Sequence, residues 1–567
     1  MTSKNFKNKA LFLLVIFCFT VGIFLRVWKI NRVPPELFGD ELDVGLQAYS
    51  IATTGKDYLG NKLPVMFHSF SEYRLPMQLY FDVPFVKLFG LNEIGVRSPS
   101  VFMGFLSLIF IYLLAKEIFT KRLALITTVF LMISPWHFNF SRQANDAGIL
   151  LPFLLAGTWL FIKGLKNYKY LFASVVTFAL SIYSYTIATA FTPLYFLSLV
   201  IIFRKELQKY PFTKLFWIGI VGLLLIFPYI NFTLKGISTQ RFSYISSISE
   251  DKLMEEIVAK RRWSKSFLTR ALYNKITVGT EIVFKNYSRS MSFNFLFTEG
   301  DPNMRQGIEG FGQFYHYDAV LIFLGLIYSF WNIRKGSKNT KFYLLIFLWL
   351  LFSPLPSALT KDGGYHASRL ILMLPPLILL SALGFQSLIK SATKIKMKAL
   401  FGVFIIFMLL DFTRFVHRYF TIWPKEGWRF WQTGFKETLA FVKSQDNKYQ
   451  RIFLNNTYEP MLPRFLFWYG YDMDLFQKQF VKDVPTENIY PGFNGFKLGD
   501  KYYFGEILKP VEGLANNDNL IIASGEKDIT NPAIFDNGGL ELLEVVSSPT
   551  KIPIFYVFTT KQTPLIN

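Results

Sequence analysis

Eleven apolar stretches punctuate the first 415 residues of this 567-residue chain, and the gaps between them alternate in character. A helix that crosses a bilayer needs about 20 mostly apolar residues. Stretches near 10–30, 98–115, 123–140, 147–163, 170–186, 188–203, 215–233, 319–333, 342–359, 370–389 and 399–415 meet or approach that length. One set of gaps is short and rich in Lys and Arg. The other is longer, mixed in charge, and carries the unusual polar motifs. The pattern predicts an all-α polytopic membrane domain of about eleven transmembrane helices, with its chemistry on one side.

The Lys/Arg bias of short loops sets orientation. The N-terminal Lys4, Lys7 and Lys9 are followed by basic gaps at 116–122, 163–169, 204–214, 334–341 and 390–398. These six regions hold only two acids, Glu117 and Glu206, and fall on one side if eleven spans exist. They are expected to be cytoplasmic, in a multi-pass plasma-membrane protein with a cytoplasmic N-terminus. An odd count puts the C-terminal tail outside. The first apolar run follows a basic start but lacks a small-residue cleavage site, so it reads as an uncleaved span.

Composition excludes several classes. The net charge of +22 is largely topological and suits anionic lipid surfaces. No basic helix with stacking aromatics stands apart from the membrane pattern, so nucleic acid is not an expected partner. Membrane lipids are. The single Cys18 allows neither an intrachain disulfide nor a cysteine metal site. There is no Walker A motif and no Gly-rich dinucleotide fingerprint. The spans also contain almost no mid-depth ionisable residues of the kind that ion-coupled transport uses, Asp411 and His137 lying near span ends.

Four outer regions carry the candidates. The loop 31–97 holds Pro34-Pro35-Glu36-Leu37-Phe38-Gly39-Asp40-Glu41 and Glu72-Tyr73-Arg74-Leu75-Pro76, and 42–54 between them is expected to be a helix along the membrane surface. The turn 141–146 holds Arg142 and Asp146. The loop 234–318 begins with a charged helical part, 248–273, and ends in Gly-rich turns. The fourth region, 361–369, holds His366 and Arg369. After 415 the composition changes, and 416–567 alternates β-like runs at 451–454, 519–523 and 554–558 with helical stretches at 434–444 and 461–469. The chain therefore divides into a membrane domain, 1–415, and a small extracytoplasmic α/β domain, 416–567.

Adjacent acids in a loop are ordinarily just solvated. Asp40-Glu41 differs in having apolar flanks, Leu37-Phe38 and Leu42, which point to partial burial, and a buried carboxylate beside a hydroxyl can act as a general base. Arg74, Arg142 and Arg369 run against the positive-inside bias. Snorkelling anchors are one reading. The other is a phosphate held at the membrane boundary, since guanidinium geometry matches phosphate oxygens. A lone His such as His366 is usually structural. Asp40, Glu41 and His366 are nonetheless candidates for a divalent metal.

These motifs together resemble the GT-C membrane glycosyltransferases of family 39, the protein O-mannosyltransferases and aminoarabinose transferases. The resemblance covers about 1–415. It rests on the acidic pair Asp40-Glu41, then Arg74-Leu75-Pro76, then Arg369 with Pro375-Pro376, with Arg97-Ser98-Pro99-Ser100 and the Arg142–Asp146 turn similar to bacterial members. The basic-Pro motif reads Arg-Leu-Pro where the family has Lys-Pro-Pro or His-Pro-Pro. The C-terminal region is not the trefoil domain of the eukaryotic enzymes.

The resemblance implies inverting transfer of mannose or a related sugar from a polyprenyl-phosphate donor to a hydroxyl of a glycan, lipid or protein outside the cytoplasm. It makes Asp40 the base, with Glu41 orienting the acceptor or a metal. Arg74, Arg142 and Arg369 become phosphate ligands, Asp146 holds Arg142, and Glu72 and His366 belong to the same substrate site. Loop 234–318 would cover that site. Two other readings remain: a lipid-linked sugar flippase or transporter, and an oligosaccharide ligase that uses a diphosphate carrier.

Overall fold

The computed structural model of the chain describes residues 17–69, 73–236, 246–247, 249–264, 266–481, 487–508, 510–516, 518–537 and 539–561. Among them, seven helices are long and apolar enough to cross a membrane: Glu93–Ile118, Asp146–Gly164, Phe212–Leu234, His316–Arg334, Thr340–Ala358, Ile371–Ser391 and Ile395–Thr421. Phe17–Val27, Tyr168–Ile182 and Ala188–Ile202 are shorter apolar helices. The expected span 123–140 divides into Lys121–Ile133 and Pro135–Phe140. Proline disfavours the α region for the residue before it, and Ser134 takes φ −54°, ψ 127°. Apolar helices thus occur at every expected span, and seven of them have full crossing length.

By compactness the chain splits into two units. The first comprises Met1–Ile30, Val65–Gln78 and Arg97–Trp423, and the second comprises Asn31–Pro64, Leu79–Val96 and Pro424–Asn567. Much of the first outer loop therefore groups with the C-terminal residues rather than with the spans.

In the first unit, helices His316–Arg334 and Ile371–Ser391 meet at glycines. A Cβ on Gly325 would lie 2.0 Å from the Leu380 carbonyl oxygen, and one on Gly384 would lie 1.9 Å from that of Leu321. Only glycine permits such close approach, a common device where membrane helices pack. Helix Phe212–Leu234 buries no residue at all. Helix Ile395–Thr421 buries Asp411, Phe415 and Tyr419, which four-residue spacing places on one stripe.

The long segment after 234 is mostly helical: Glu250–Arg261, Phe267–Leu272 and Lys275–Ser290. Leu253, Ile257 and Val278 form its small core. Lys260 bonds Glu281 at 2.7 Å and Lys275 bonds Glu250 at 2.6 Å.

A two-stranded ribbon, β1 (Phe67–His68) and β2 (Tyr73–Arg74), is antiparallel with Phe67 opposite Arg74. The second unit is built on a seven-stranded sheet: β3 (Arg451–Asn455), β4 (Glu487–Tyr490), β5 (Phe493–Leu498), β6 (Tyr502–Ile507), β7 (Asn519–Ser524), β8 (Leu540–Ser547) and β9 (Pro553–Thr560). Their order is β4-β5-β6-β3-β7-β9-β8. β3 runs parallel to β6 and β7, and the remaining pairs are antiparallel. β7 is buried along its whole length, whereas edge strand β8 is buried only at Leu540 and Val546.

The segment expected along the membrane surface is helical, as Gly39–Thr54, but it is packed inside the second unit. Eight consecutive residues, Glu41 to Ala48, are buried. It packs against Met461–Arg464, Phe465–Gly470 and Met473–Gln479, and Gln477 donates to Ser50 Oγ at 3.0 Å. A helix covered on all sides has no apolar stripe to lay on lipid.

Candidate active site

The acidic pair sits at the head of that helix, and the two acids have different occupations. Asp40 is exposed and Glu41 is buried. Glu41 Oε2 accepts from the Phe38 backbone N–H at 3.3 Å, satisfying one of the donors that a helix start leaves open. Asp40 stands in the first turn, where the helix end favours a carboxylate.

Residues missed by the sequence reading hold this turn. Glu36 is buried, and its carboxylate accepts from the backbone N–H of Gly434 at 2.8 Å and of Lys436 at 2.9 Å. It caps helix Phe435–Gln445, whose own N-cap residue, Gly434, has no side chain to offer. Burial pushes the Glu36 carboxyl up to about 7, against the pull of those two bonds. Gln432 Oε1 accepts from the Gly39 N–H at 3.3 Å and also from Arg464. Arg464 is buried with its guanidinium 4.4 Å from the centre of the Phe435 ring. Asp40 thus follows a backbone tied to residues about 400 positions later in the chain. A charge within five residues of the acidic pair was the only local signal for Glu36, and Arg464 had none.

The other described candidates lie in the first unit. Arg369 Nη1 donates to Thr360 Oγ1 at 2.8 Å and to the Lys361 carbonyl at 2.7 Å. His366 Nδ1 lies 3.0 Å from Ser368 Oγ, which is 3.2 Å from the Tyr185 hydroxyl. The Gly-rich turn after 299 is fastened to this loop. Asp301 Oδ2 accepts from the Ala367 N–H at 2.8 Å, and Gln306 Oε1 accepts from the Ser368 N–H at 3.1 Å. Asp301 feels the positive charge of both Arg305 and Arg369. Arg305, half-buried and held by its Nε to Asn303 Oδ1 at 3.3 Å, joins Arg369 in one polar cluster. The sequence reading noted this turn only for its glycines.

Burial raises the Asp301 carboxyl to about 6, although the Ala367 and Asn303 N–H groups and both arginines pull it down. A carboxyl raised on folding binds more protons in the folded chain than in the unfolded one. Its contribution therefore weakens stability as pH rises from about 4 through about 6, on the order of 2–3 kcal/mol. Thermal midpoints in detergent across that window should lose this component in Asp301→Asn. An unchanged pH slope would show that Asp301 titrates normally.

Arg142 has a different occupation from the expected one. It is completely buried, and its Nη1 and Nη2 donate to the carbonyls of Leu25, Arg26 and Trp28 at 2.6, 2.7 and 2.9 Å. Its guanidinium carbon lies 4.9 Å from the Phe420 ring centre and 5.5 Å from that of Tyr419. These bonds close the open carbonyl end of helix Phe17–Val27 and leave Arg142 little to offer a phosphate. Asp146 opens helix Asp146–Gly164 just after its cap, Asn145, whose side chain accepts from the Gly148 N–H at 2.9 Å. Arg74 is half-buried at the end of β2, and Glu72 lies outside the described residues.

For the metal expectation, Asp40 and Glu41 belong to the second unit and His366 to the first. Among the described residues, no group of three or more His, Cys, Asp or Glu side chains is placed to hold an ion.

Residues 74–232 match the family described as dolichyl-phosphate-mannose-protein mannosyltransferase. That stretch takes in Arg74, Arg142 and Asp146. Two structures of ArnT from Cupriavidus metallidurans superpose along nearly the whole chain. The undecaprenyl-phosphate-bound form has a TM-score of 0.52 at 12% identity, covering 96% of this chain and 98% of that one. The apo form has a TM-score of 0.53 at 12% identity, covering 97% and 98%. The chain has the GT-C fold. Over 74–232 the chain is similar to the mannosyltransferase family, and its fold is that of ArnT. The archaeal oligosaccharyltransferase AglB from Archaeoglobus fulgidus, in complex with an inhibitory peptide and a dolichol-phosphate, aligns less well, with a TM-score of 0.47 at 13% identity over 77% of this chain and 58% of that one. No curated protein matches the chain by sequence.

Proposed function

We propose that this GT-C protein transfers one sugar, mannose or a close relative, from a polyprenyl-phosphate carrier to a hydroxyl acceptor on the outer face of the plasma membrane. The observation that carries the reading is the family match over 74–232 on a GT-C fold. The likeness to ArnT bound to undecaprenyl phosphate supports the carrier class. The basic short loops support a cytoplasmic N-terminus.

In this reading the acceptor oxygen attacks the anomeric carbon from the face opposite the phosphate. The bond from that carbon to the carrier phosphate breaks, polyprenyl phosphate leaves, and the configuration inverts. Asp40 takes the hydroxyl proton. Its exposure favours it over Glu41, which is buried and engaged in its own helix start. The leaving group is an anion, so fixed cations serve it better than an acid. Arg369 and Arg305, which share Asp301, take that part, with Arg74 and His366 assigned to the same substrate site, while Arg142 supports the fold.

The experiment is sugar transfer by the purified protein in lipid, with a panel of radiolabelled polyprenyl-phosphate sugars and a crude envelope acceptor. Mass analysis of the product distinguishes a single sugar from an oligosaccharide. No transfer with any donor of the panel overturns the reading. Arg369→Ala should raise the carrier KM at least tenfold, the scale of a charge-assisted hydrogen bond of about 1.5–3 kcal/mol, and leave the acceptor KM unchanged. Normal carrier saturation in that variant would remove Arg369 from the phosphate site.

A further inference from the structure

The first turns of helices Tyr168–Ile182 and Phe212–Leu234 bound a groove of about 550 Å³, lined by Tyr168, Lys169, Phe172, Lys214, Trp217 and Val221 among others. That volume lies within the ~300–1,000 Å³ typical of small-ligand sites. The groove has a floor because the two helices converge above it, where a Cβ on Gly222 would lie 2.7 Å from Val175 Cγ1. The walls are aromatic and aliphatic, and Trp217 is 64% exposed and Phe172 46% exposed.

The mouth is cationic. Lys169 and Lys214 are exposed, and Lys214 Nζ sits 4.6 Å from the centre of the Tyr168 ring. Both helices begin here, so their positive ends add to the lysines. The flanking loops 163–169 and 204–214 carry seven Lys or Arg and one acid, Glu206, and Lys341 holds that acid at 2.6 Å. No residue of helix Phe212–Leu234 is fully buried within the protein, so much of its surface has lipid as its solvent. Apolar walls between two membrane helices require chains, and a basic mouth requires an anion.

We propose that this groove binds one anionic glycerophospholipid, with its phosphate between Lys169 and Lys214 and an acyl chain along Phe172, Trp217 and Val221. The site is separate from the reaction. Tyr185, which reaches Ser368 in the polar cluster, lies beyond the opposite end of helix Tyr168–Ile182, about 22 Å away along the axis.

The test uses the full chain in vesicles doped with brominated phosphatidylglycerol or brominated phosphatidylcholine at equal mole fraction. Subtracting the signal of Trp217→Phe isolates the Trp217 fluorescence. Phosphatidylglycerol should quench it at least threefold more strongly. The double variant Lys169→Gln/Lys214→Gln should bring the two lipids to parity, with monodisperse elution and unchanged helical circular dichroism. Val221→Phe, which fills the groove and keeps the lysines, should lower quenching by both. Equal quenching by the two lipids in the unsubstituted protein, a preference that survives the double substitution, or no Trp217 quenching at all would each overturn the proposal.

Discussion

Asp40→Asn should reduce sugar transfer by about 10²–10⁴-fold, the usual contribution of a positioned general base, or about 3–5 kcal/mol of transition-state stabilisation. The substitution preserves size and polarity at the first turn of helix Gly39–Thr54. What it removes is the ability to accept a proton. Glu36 and Gln432, which fasten the backbone ahead of Asp40, are untouched, so the loss should fall on kcat while binding of the carrier in equilibrium measurements stays normal. Glu41→Gln is the informative comparison. Its Oε2 accepts from the Phe38 N–H, a bond that the glutamine oxygen can also make, so the variant should keep transfer within about tenfold if Glu41 serves the helix rather than the chemistry. If Asp40→Asn retained transfer within tenfold of the original, the base would lie elsewhere, and a Glu41→Gln loss would then name it.

What the sequence disclosed depended on whether the relevant forces act along the chain or across it. Spans are legible because burial in lipid is written into consecutive residues. The same logic exposed β3, β7 and β9, whose central positions give unbroken apolar runs. It hid β5 and β6, where Gly495 and Gly505 face each other in the register, and β8, whose apolar run is broken by Glu541 and Glu544 at a sheet edge. The helix 39–54 was legible as a helix, but its surroundings were not, because its cover comes from residues about 420 positions away. The polar cluster follows the same rule. Arg369 stood out by its place at the head of a span. Asp301 and Gln306 acquire meaning only through bonds to 367–368, more than 60 residues on, and a Gly-rich turn gives no sign of such a partner.

Arg142 marks the limit of reading a charge by its sidedness, and it carries the other large expected effect. An arginine in an outer turn invites a phosphate, yet its donors go to three carbonyls at the end of helix Phe17–Val27, more than 110 residues earlier. Arg142→Ala should therefore destabilise the protein by about 3–5 kcal/mol. The residue is a buried charge whose partners would be left without donors, and each stranded carbonyl costs about 1–3 kcal/mol. Loss of the cation against the Phe420 and Tyr419 rings adds about 0.5–2 kcal/mol where desolvated. Arg142→Lys should recover only part of the loss, because an ammonium is a point donor and cannot span three oxygens as the planar fork does. Thermal unfolding in detergent and detergent-induced unfolding both read the change. Transfer activity should fall in proportion to the folded fraction, with the carrier KM of the surviving fraction unchanged. An Arg142→Ala protein with unaltered stability and a raised carrier KM would return this arginine to the phosphate and leave the end of the first helix to be held by something else.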